Sequence, residues 1–343
     1  MATDVKAGQA AQGWGISDKA AELHRSALVW DDHGGFAYTK ASNLSEMDRW
    51  RDSGIDYLSV NAGYDVTPWT SAVEAVSQYR HWIRAHPDEF VQVDGVQDIH
   101  RAKREGKLAI SFDLEGMNAI NGDIGMVDAY YDLGVRQMLF AYNKNNLAGG
   151  GCHDQDTGLT EFGREVIREM NRVGMVVDCS HSAYRTTMEA MEASQDPVIF
   201  SHSNARSLWD HERNIKDDQI KACAATGGVI GVTGVGRFLG KNGPTVEHLV
   251  EHIDYMVEMV GPEHVGIGMD SVLRERMGGA GAHFVRNRDY WPVHQYPDGG
   301  LGYVPPESFP NVTQALLDRG YSARDVRGIL GENFLRIAGR VWK

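Results

Sequence analysis

Short runs of β-branched and apolar residues recur along the whole chain, and they constrain its fold more than any other feature. Eight runs have the length of a buried strand, at 27–30, 56–60, 108–114, 136–141, 175–179, 198–201, 229–233 and 265–269. Helical patterns lie between them, for example at 160–172, 217–225, 246–260 and 323–338. This alternation predicts right-handed βαβ units and a mainly parallel sheet. Eight strands is the number that closes an α/β fold into a (β/α)8 TIM barrel.

No linker rich in proline, serine or charge divides the 343 residues, so we expect one domain over 1–343. An N-terminal helical extension is expected over 1–26, with its helix at 17–26, packed outside the barrel. The segment 271–310 contains glycines, prolines and aromatic residues without a sustained period. Loops of this length are usually functional lids, oligomer contacts or mobile segments, and its position after the eighth strand predicts a place over the barrel mouth.

Composition and charge exclude several classes of protein. A hydrophobic content of 42% and a charged content of 24% are typical of a globular protein and exclude collagen-like and disordered chains. The formal charge is -13, with no dense basic block, so nucleic acid is not an expected partner. No apolar run approaches the roughly 20 residues of a membrane span, and the first residues lack a signal-peptide pattern. We therefore expect a cytoplasmic protein.

The cysteines do not predict a cross-linked fold. Cys152, Cys179 and Cys223 are an odd number, and no pair of them has the C-x-x-C spacing. Neither a disulfide framework nor a structural zinc knuckle is therefore indicated.

Five of the predicted strands end at residues that can bind a metal ion. These residues are His33, Glu115, His181, His202 and Asp270. Reactive groups of (β/α)8 barrels lie at the C-terminal ends of the strands. One histidine at a strand end is more often a hydrogen-bonded structural residue, but five strands would have to place such groups alike by accident. Nitrogen and oxygen ligands of this kind suit zinc or a similar divalent ion at an open catalytic site.

Other histidines carry less information. Five of them fall on predicted helices or loops and are expected to be structural or solvated: His24, His81, His86, His248 and His264. Two more lie in loops that could overhang the mouth and stay unassigned: His153 and His283.

Several segments resemble the membrane (renal) dipeptidase family of zinc peptidases, within the amidohydrolase superfamily. They are GLTEFGREVIREMNRVGMVVDCSH, DPVIFSHSNARSL and RNIKDDQI, together with DLEG at 113–116, LGVRQMLFAYN at 133–143, VGIGMD at 265–270 and GENFLRI at 331–337. The resemblance covers most of the chain from the first strand to the C-terminus. It implies a (β/α)8 barrel, often a homodimer, in which two metal ions flank a hydroxide that attacks the amide bond of a dipeptide.

The resemblance also implies a role for each strand-end residue. Glu115 would bridge the metal ions, and His33 would bind the first of them. His181 and His202 would complete the ligands of the second. Asp270 would hold the bridging water and carry its proton, which is a task suited to a carboxylate.

Arg213 matches the family's arginine that binds the terminal carboxylate of the substrate. A guanidinium suits this task because it offers a planar, bidentate pair of donors. Without the resemblance, a surface salt bridge of Arg213 with Asp210 or Glu212 is an equal alternative.

Two positions depart from the family pattern. The family has His-x-Asp at the end of the first strand, but the second ligand position here is Gly35, which has no ligand atom. Residues two apart on a strand point the same way, so the first metal loses a ligand and the site holds either one ion or two. Asp31 shares that face, but the family has an aspartate there as well. Tyr142 replaces a histidine that stabilises the oxyanion, which a tyrosine hydroxyl can also do.

These residues predict a metal-dependent hydrolase, and the resemblance implies that its substrates are dipeptides or related acyl-amino acids that carry a free carboxylate. Zinc is the expected ion, with manganese and iron as alternatives. Gly35 and Tyr142 leave open a mononuclear enzyme that acts on another bond, such as another amide, a lactone or a carbon–carbon bond. A second alternative is a catalytically weakened barrel that binds a small ligand or a partner protein. The retained Asp270 argues against it.

Overall fold

A computed structural model describes residues 13–35, 42–273, 286–297 and 300–343. Parts of the expected N-terminal extension and of the 271–310 loop lie outside these residues. That 1–343 forms one domain stays a prediction.

The described residues form eight strands. They are β1 (Trp30–Gly34), β2 (Tyr57–Tyr64), β3 (Phe90–Gln92), β4 (Leu108–Glu115), β5 (Val135–Leu139), β6 (Val176–Asp178), β7 (Ile230–Val232) and β8 (Val265–Ile267). One parallel sheet has the order β1-β2-β4-β5-β6, with β3 paired to β4, and β7 pairs with β8 in a second sheet.

Single parallel bridges join the two sheets into a closed ring. Ile199 bridges the end of β6, and its neighbour Phe200 bridges Ile230 of β7. Gly34 of β1 bridges Ser271, which follows β8, and this contact closes the ring. The predicted sixth strand therefore occupies its place in the barrel through isolated bridges rather than a regular ladder. The prediction of a (β/α)8 barrel is confirmed.

Helices cover the outside of the ring. They are α1 (Asp18–Ser26), α2 (Asp48–Asp52), α3 (Trp69–Ala85), α4 (Val96–Glu105), α5 (Gly125–Asp132), α6 (Glu161–Val173), α7 (Tyr184–Ala193), α8 (Asp217–Ala225), α9 (Gly236–Leu239), α10 (Val246–Val260), α11 (Phe309–Asp318), α12 (Ala323–Arg327) and α13 (Asn333–Val341). Short 3-10 helices are Leu44–Met47, Met117–Ile120, Pro262–His264 and Pro306–Ser308. Within the described residues, none of the helices combines the length and apolar character needed to cross a membrane.

Helix α6 shows how local sequence sets the boundaries of an element. The Thr160 side chain accepts a hydrogen bond from the Gly163 amide and caps the N-terminus. Val166, Ile167 and Met170 are fully buried against the barrel. Gly174 ends the helix with φ 92°, in the left-handed region that glycine adopts without strain.

The prediction of one helix over 323–338 is wrong. A π-helical turn at Gly328–Glu332 separates α12 from α13. A Cβ atom at Gly331 would lie 2.5 Å from the carbonyl oxygen of Leu28 and 3.0 Å from the Cβ of Trp30. The chain approaches the start of β1 so closely here that a regular helix with a side chain at this position does not fit. Strand β3 was also not predicted, because a three-residue run among polar residues gives no periodic signal.

His24 ties the N-terminal helix α1 to the barrel shell, as expected for a structural histidine. Its ring is fully buried, with Nδ1 2.8 Å from the Thr313 hydroxyl and Nε2 2.9 Å from the carbonyl oxygen of Ser53. A carbonyl can only accept, so Nε2 carries the proton of a neutral ring and Nδ1 accepts from Thr313. Burial lowers the pKa of His24 to about 4.

We expect His24 to make the protein acid-sensitive. The folded-state pKa lies below the ordinary value of 6.5, so the unfolded chain binds this proton first as the pH falls. The contribution of His24 to stability is complete above about pH 6.5 and declines down to about pH 4, by about 3 kcal/mol in total. Urea unfolding of the wild type and His24→Gln should show their difference in unfolding free energy shrinking over this range.

The matched control is His81→Gln, because His81 is exposed on α3. Its unfolding free energy should stay close to that of the wild type, because the exposed ring has no buried contacts to lose. A pH-independent difference for His24→Gln would show that this ring does not stay neutral in the folded protein.

Candidate metal centre

The four predicted metal ligands and the predicted proton carrier Asp270 lie together at the C-terminal rim of the barrel. The ligand atoms of Glu115, His181 and His202 are all within 4.8 Å of one another, and so are those of His33, His202 and Asp270. Each comes from a different position around the ring, so only the closed barrel assembles them. The structure thus brings together His33, Glu115, His181 and His202, which the sequence predicted as metal ligands, and places Asp270 beside them.

One carboxylate oxygen lies at the centre of the cluster. Glu115 Oε1 is 3.2 Å from His181 Nε2, 3.3 Å from His202 Nε2 and 3.5 Å from His33 Nε2. The Nε2 atoms of His181 and His202 are 3.0 Å apart. Asp270 Oδ1 lies 3.7 Å from His33 Nε2 on the side away from Asp113.

Hydrogen bonds behind the rings assign the tautomers of His181 and His202. Nδ1 of His202 is 2.7 Å from the Ser201 hydroxyl, which donates its own proton to Asp178 and so accepts from the ring. Nδ1 of His181 is 2.6 Å from Oδ1 of Asn143. That amide is oriented by its NH2 group, which donates to the Tyr290 carbonyl. In the neutral rings, both Nε2 atoms therefore carry lone pairs toward Glu115.

His33 is held in the same way. Its Nδ1 is 3.2 Å from Oδ2 of Asp113. Ser59 donates a hydrogen bond to the same oxygen, and the Asn61 amide donates to Oδ1 of Asp113. The other ring nitrogen, Nε2, is buried and has no hydrogen-bond partner.

Three imidazole nitrogens and the carboxylate oxygens of Glu115 and Asp270 thus converge, and a second row of residues fixes their directions. An orphaned buried nitrogen and an excess of acceptors are the features expected where a divalent cation binds. The residues present fit such an ion.

The electrostatics of the cluster support the same assignment. Burial raises the pKa of Glu115 to about 8 and that of Asp270 to about 6. Burial lowers the pKa values of His181 and His202 well below the usual range, which keeps both rings neutral and able to bind a metal. Burial also acts to lower the pKa of His33, but the neighbouring carboxylates outweigh it and raise that pKa. A bound cation would compensate the buried acids.

Two of the five residues have backbone conformations that side chains rarely adopt. The φ angles are 62° for His181 and 55° for Asp270. Backbone hydrogen bonds fix both, from the Cys152 amide to the His181 carbonyl and from the Asp270 amide to the His33 carbonyl. Such conformations persist where the surrounding structure holds them, commonly at functional sites.

Arg213 lies beneath the rim rather than in a surface salt bridge. Its guanidinium donates to the Ser203 hydroxyl and the His202 carbonyl, while its Nε is buried without a partner. Of the two acids that could have paired with it, Asp210 pairs with Arg206 and Glu212 with His153. The salt-bridge alternative is therefore wrong. Arg213 and His181 line the same cleft.

Aromatic rings close the other side of the cluster. The Tyr142 ring stacks on His181, with centroids 4.2 Å apart at 26°, and makes an edge contact with Trp291. Tyr290 donates from its hydroxyl to the Asp65 carbonyl and accepts from Asn143 through its own carbonyl. Tyr290 and Trp291 of the expected loop thus contact residues of the site.

The sequence did not reveal the residues that orient the ligands: Asp113, Asn143, Asp178 and Ser201. Asp113 shares a strand face with Glu115, and Asp178 and Ser201 adjoin the predicted ligands, but these positions alone do not show a hydrogen bond. His153 bonds Glu212 through Nδ1 and the Tyr296 hydroxyl through Nε2, so it is structural. His283 lies outside the described residues.

A (β/α)8 barrel with an imidazole and carboxylate cluster at its C-terminal rim is the arrangement of a metal-dependent hydrolase. The family model of membrane dipeptidase, peptidase family M19, matches residues 37–273. The chain belongs to this family, and the resemblance inferred from the sequence is confirmed.

Two curated relatives with similar sequences are also named dipeptidases. The chain is 30% identical over 300 residues to an uncharacterised dipeptidase of Schizosaccharomyces pombe, covering 84% of this chain and 65% of that protein. It is 31% identical over 261 residues to dipeptidase tcpJ of Claviceps purpurea, covering 75% of this chain and 56% of that protein. The chain thus spans less than two thirds of the length of these curated relatives.

Solved structures share the fold. An amidohydrolase from Pseudomonas aeruginosa superposes with a TM-score of 0.87 at 32% identity, covering 94% of this chain and 99% of that one. A metallopeptidase from Rhodobacter sphaeroides, solved with a phosphinate mimic of L-Ala-D-Ala, superposes with a TM-score of 0.75 at 18% identity, over 92% and 99% of the chains.

We expect Ser201→Ala to weaken metal binding without removing a ligand. The variant deprives His202 of the acceptor that fixes its tautomer, and loss of such an outer partner typically weakens binding by about 10–100-fold. Competition with a chromophoric chelator measures the affinity. Ser207→Ala is the matched control, because that hydroxyl bonds the distant Asp217. Equal affinities of Ser201→Ala and wild type would contradict the assigned hydrogen-bond relay.

Proposed function

We propose that the protein is a metal-dependent hydrolase that cleaves the amide bond of a dipeptide or a related small acyl-amino acid. The observation that carries the proposal is the convergence of three imidazole Nε2 atoms on the Glu115 carboxylate, in a buried site at the catalytic rim of the barrel. Membership of the membrane dipeptidase family supports the reaction class. The names of the curated relatives support a dipeptide as substrate.

Zinc is the proposed ion, in one or two copies, and manganese and iron suit the same nitrogen and oxygen ligands. Glu115 would serve both positions, His181 and His202 the second, and His33 the first. When bound, such an ion lowers the pKa of water and polarises the substrate carbonyl.

The remaining steps use side chains of this chain. Arg213 has unused donors beneath the cleft and would bind the free carboxylate of the substrate. The Tyr142 hydroxyl would donate to the oxyanion as the carbonyl carbon becomes tetrahedral. Asp270 would accept the proton of the attacking water and deliver it to the leaving amine, so that protons balance over one turnover.

Two features of the site favour a variant of this function. Gly35 removes one ligand position, and Tyr142 replaces the family histidine. A mononuclear enzyme that acts on another amide, a lactone or a carbon–carbon bond is therefore the second candidate. Turnover confined to dipeptides in a substrate screen would exclude it.

Several further expectations accompany the proposal. A small molecule with a carboxylate is the expected partner, nucleic acid is not, and a homodimer follows from the family resemblance. A cytoplasmic location fits three cysteines that are all free.

Replacement of His181 should abolish both metal binding and turnover. His181→Ala removes a neutral imidazole that faces Glu115 and His202, so the second ion loses one of three protein ligands. Metal content by elemental mass spectrometry and hydrolysis of a dipeptide panel test this expectation. His81→Ala, on the exposed face of α3, is the control. Full activity of folded His181→Ala would refute the proposed function.

Arg213→Lys should weaken the binding of substrates that have a free carboxylate. Lysine keeps the charge but loses the planar fork, so KM should rise about 10–100-fold for such dipeptides. The matched substrates are the same dipeptides with an amidated C-terminus. Their KM should be high for the wild type already and nearly unchanged in the variant. An equal rise for both substrates would indicate that Arg213 positions the His202 segment instead.

A further inference from the structure

The described residues offer a replacement for the ligand that is missing at Gly35. Gly35 directly follows β1, two residues beyond His33, and its amide donates to the Ser271 carbonyl across the seam that closes the barrel. The position is therefore tied to the backbone beside Asp270. A Cβ atom built on Gly35 would lie only 2.4 Å from Asp270 Oδ1 and 3.2 Å from a methyl group of Val272.

That distance is too short for two side chains to coexist without a shift. The carboxylate of Asp270 thus fills the room that a side chain at position 35 would need. The same oxygen, Oδ1, is 3.7 Å from His33 Nε2, which is the buried nitrogen without a partner. Oδ1 also belongs to the group of ligand atoms that includes His33 and His202.

Asp31 precedes His33 by two residues, but a register shift in β1 separates them and the Asp31 carboxylate is already engaged. Asp31 accepts hydrogen bonds from the Trp50 indole through Oδ2 and from the Met269 amide through Oδ1. Asp113 orients His33 from behind and lies on its Nδ1 side. Among the residues that the structure describes, Asp270 is the carboxylate left to face Nε2 of His33 together with Glu115.

We propose that Asp270 binds the first metal ion directly, through Oδ1, in place of the aspartate that the family carries at position 35. Its backbone is held for this role by the hydrogen bond from its amide to the His33 carbonyl. The second oxygen, Oδ2, stays available for the proton of the attacking water. The inference rests on the proposed metal centre and extends it to a residue that would otherwise act only on the proton.

Metal binding tests this assignment separately from activity. Asp270→Asn keeps the shape of the side chain and tolerates a positive φ, while it removes the anionic ligand. We expect it to lose one ion per chain, or to bind a single ion about 100-fold more weakly, because a direct ligand matters at least as much as an outer partner. Elemental mass spectrometry and zinc titration against a chelator measure both quantities. Circular dichroism checks the fold.

A double variant tests whether the two positions are interchangeable. Gly35→Asp combined with Asp270→Gly places a carboxylate two residues after His33, and glycine accepts the φ of 55° at position 270. We expect the double variant to regain the ion that Asp270→Gly alone loses. Asp156→Asn is the control, because this exposed acid at the same cleft lies outside the ligand groups.

The outcomes are distinguishable. Wild-type stoichiometry and affinity in folded Asp270→Asn would overturn the inference and leave Asp270 as a proton carrier. Failure of the folded double variant to regain the ion would overturn the replacement of position 35. A wild-type protein that binds no metal would overturn the proposed function itself, and the inference with it.

Discussion

The site depends on one electrostatic constraint, which is that three imidazole rings and two carboxylates face one another in a buried space. The Nε2 atoms of His33, His181 and His202 lie 3.2–3.7 Å from carboxylate oxygens of Glu115 and Asp270. A single hydrogen cannot satisfy all of these contacts at once. The arrangement is therefore stable only if a cation binds or if some of these groups change their protonation state. Burial raises the pKa values of Glu115 and Asp270, because their negative charges lack a compensating cation in this space.

The barrel provides the geometry that this constraint requires. His33 and Asp270 are distant in sequence, and they become neighbours because Gly34 and Ser271 close the ring. The hydrogen bond from the Asp270 amide to the His33 carbonyl crosses the same seam. A change at either side of the seam would therefore alter the proposed first metal position, while the proposed second position depends on His181 and His202 across the barrel.

The sequence predicts the parts of this structure that leave a local pattern. Alternating strands and helices predict the barrel, and ligand-type residues at strand ends predict His181 and His202 as ligands. The π-helical turn before α13 leaves no such pattern, because it results from the close approach of Gly331 to β1. The bond from His181 to Asn143 also escapes prediction, since it joins residues 38 positions apart through loop geometry. Long-range contacts of this kind decide the tautomers, and therefore the chemistry.

A missing ligand in a motif does not by itself remove a metal site. A sequence motif records the position of a carboxylate along the chain, whereas an ion responds to the position of oxygen atoms in space. In a closed barrel the first and last strands are adjacent. A side chain at position 35 and a side chain at position 270 would therefore occupy the same space between these strands. The absence of a side chain at Gly35 leaves that volume to Oδ1 of Asp270. Loss and compensation can therefore occur within one fold without any change in the topology that surrounds the site.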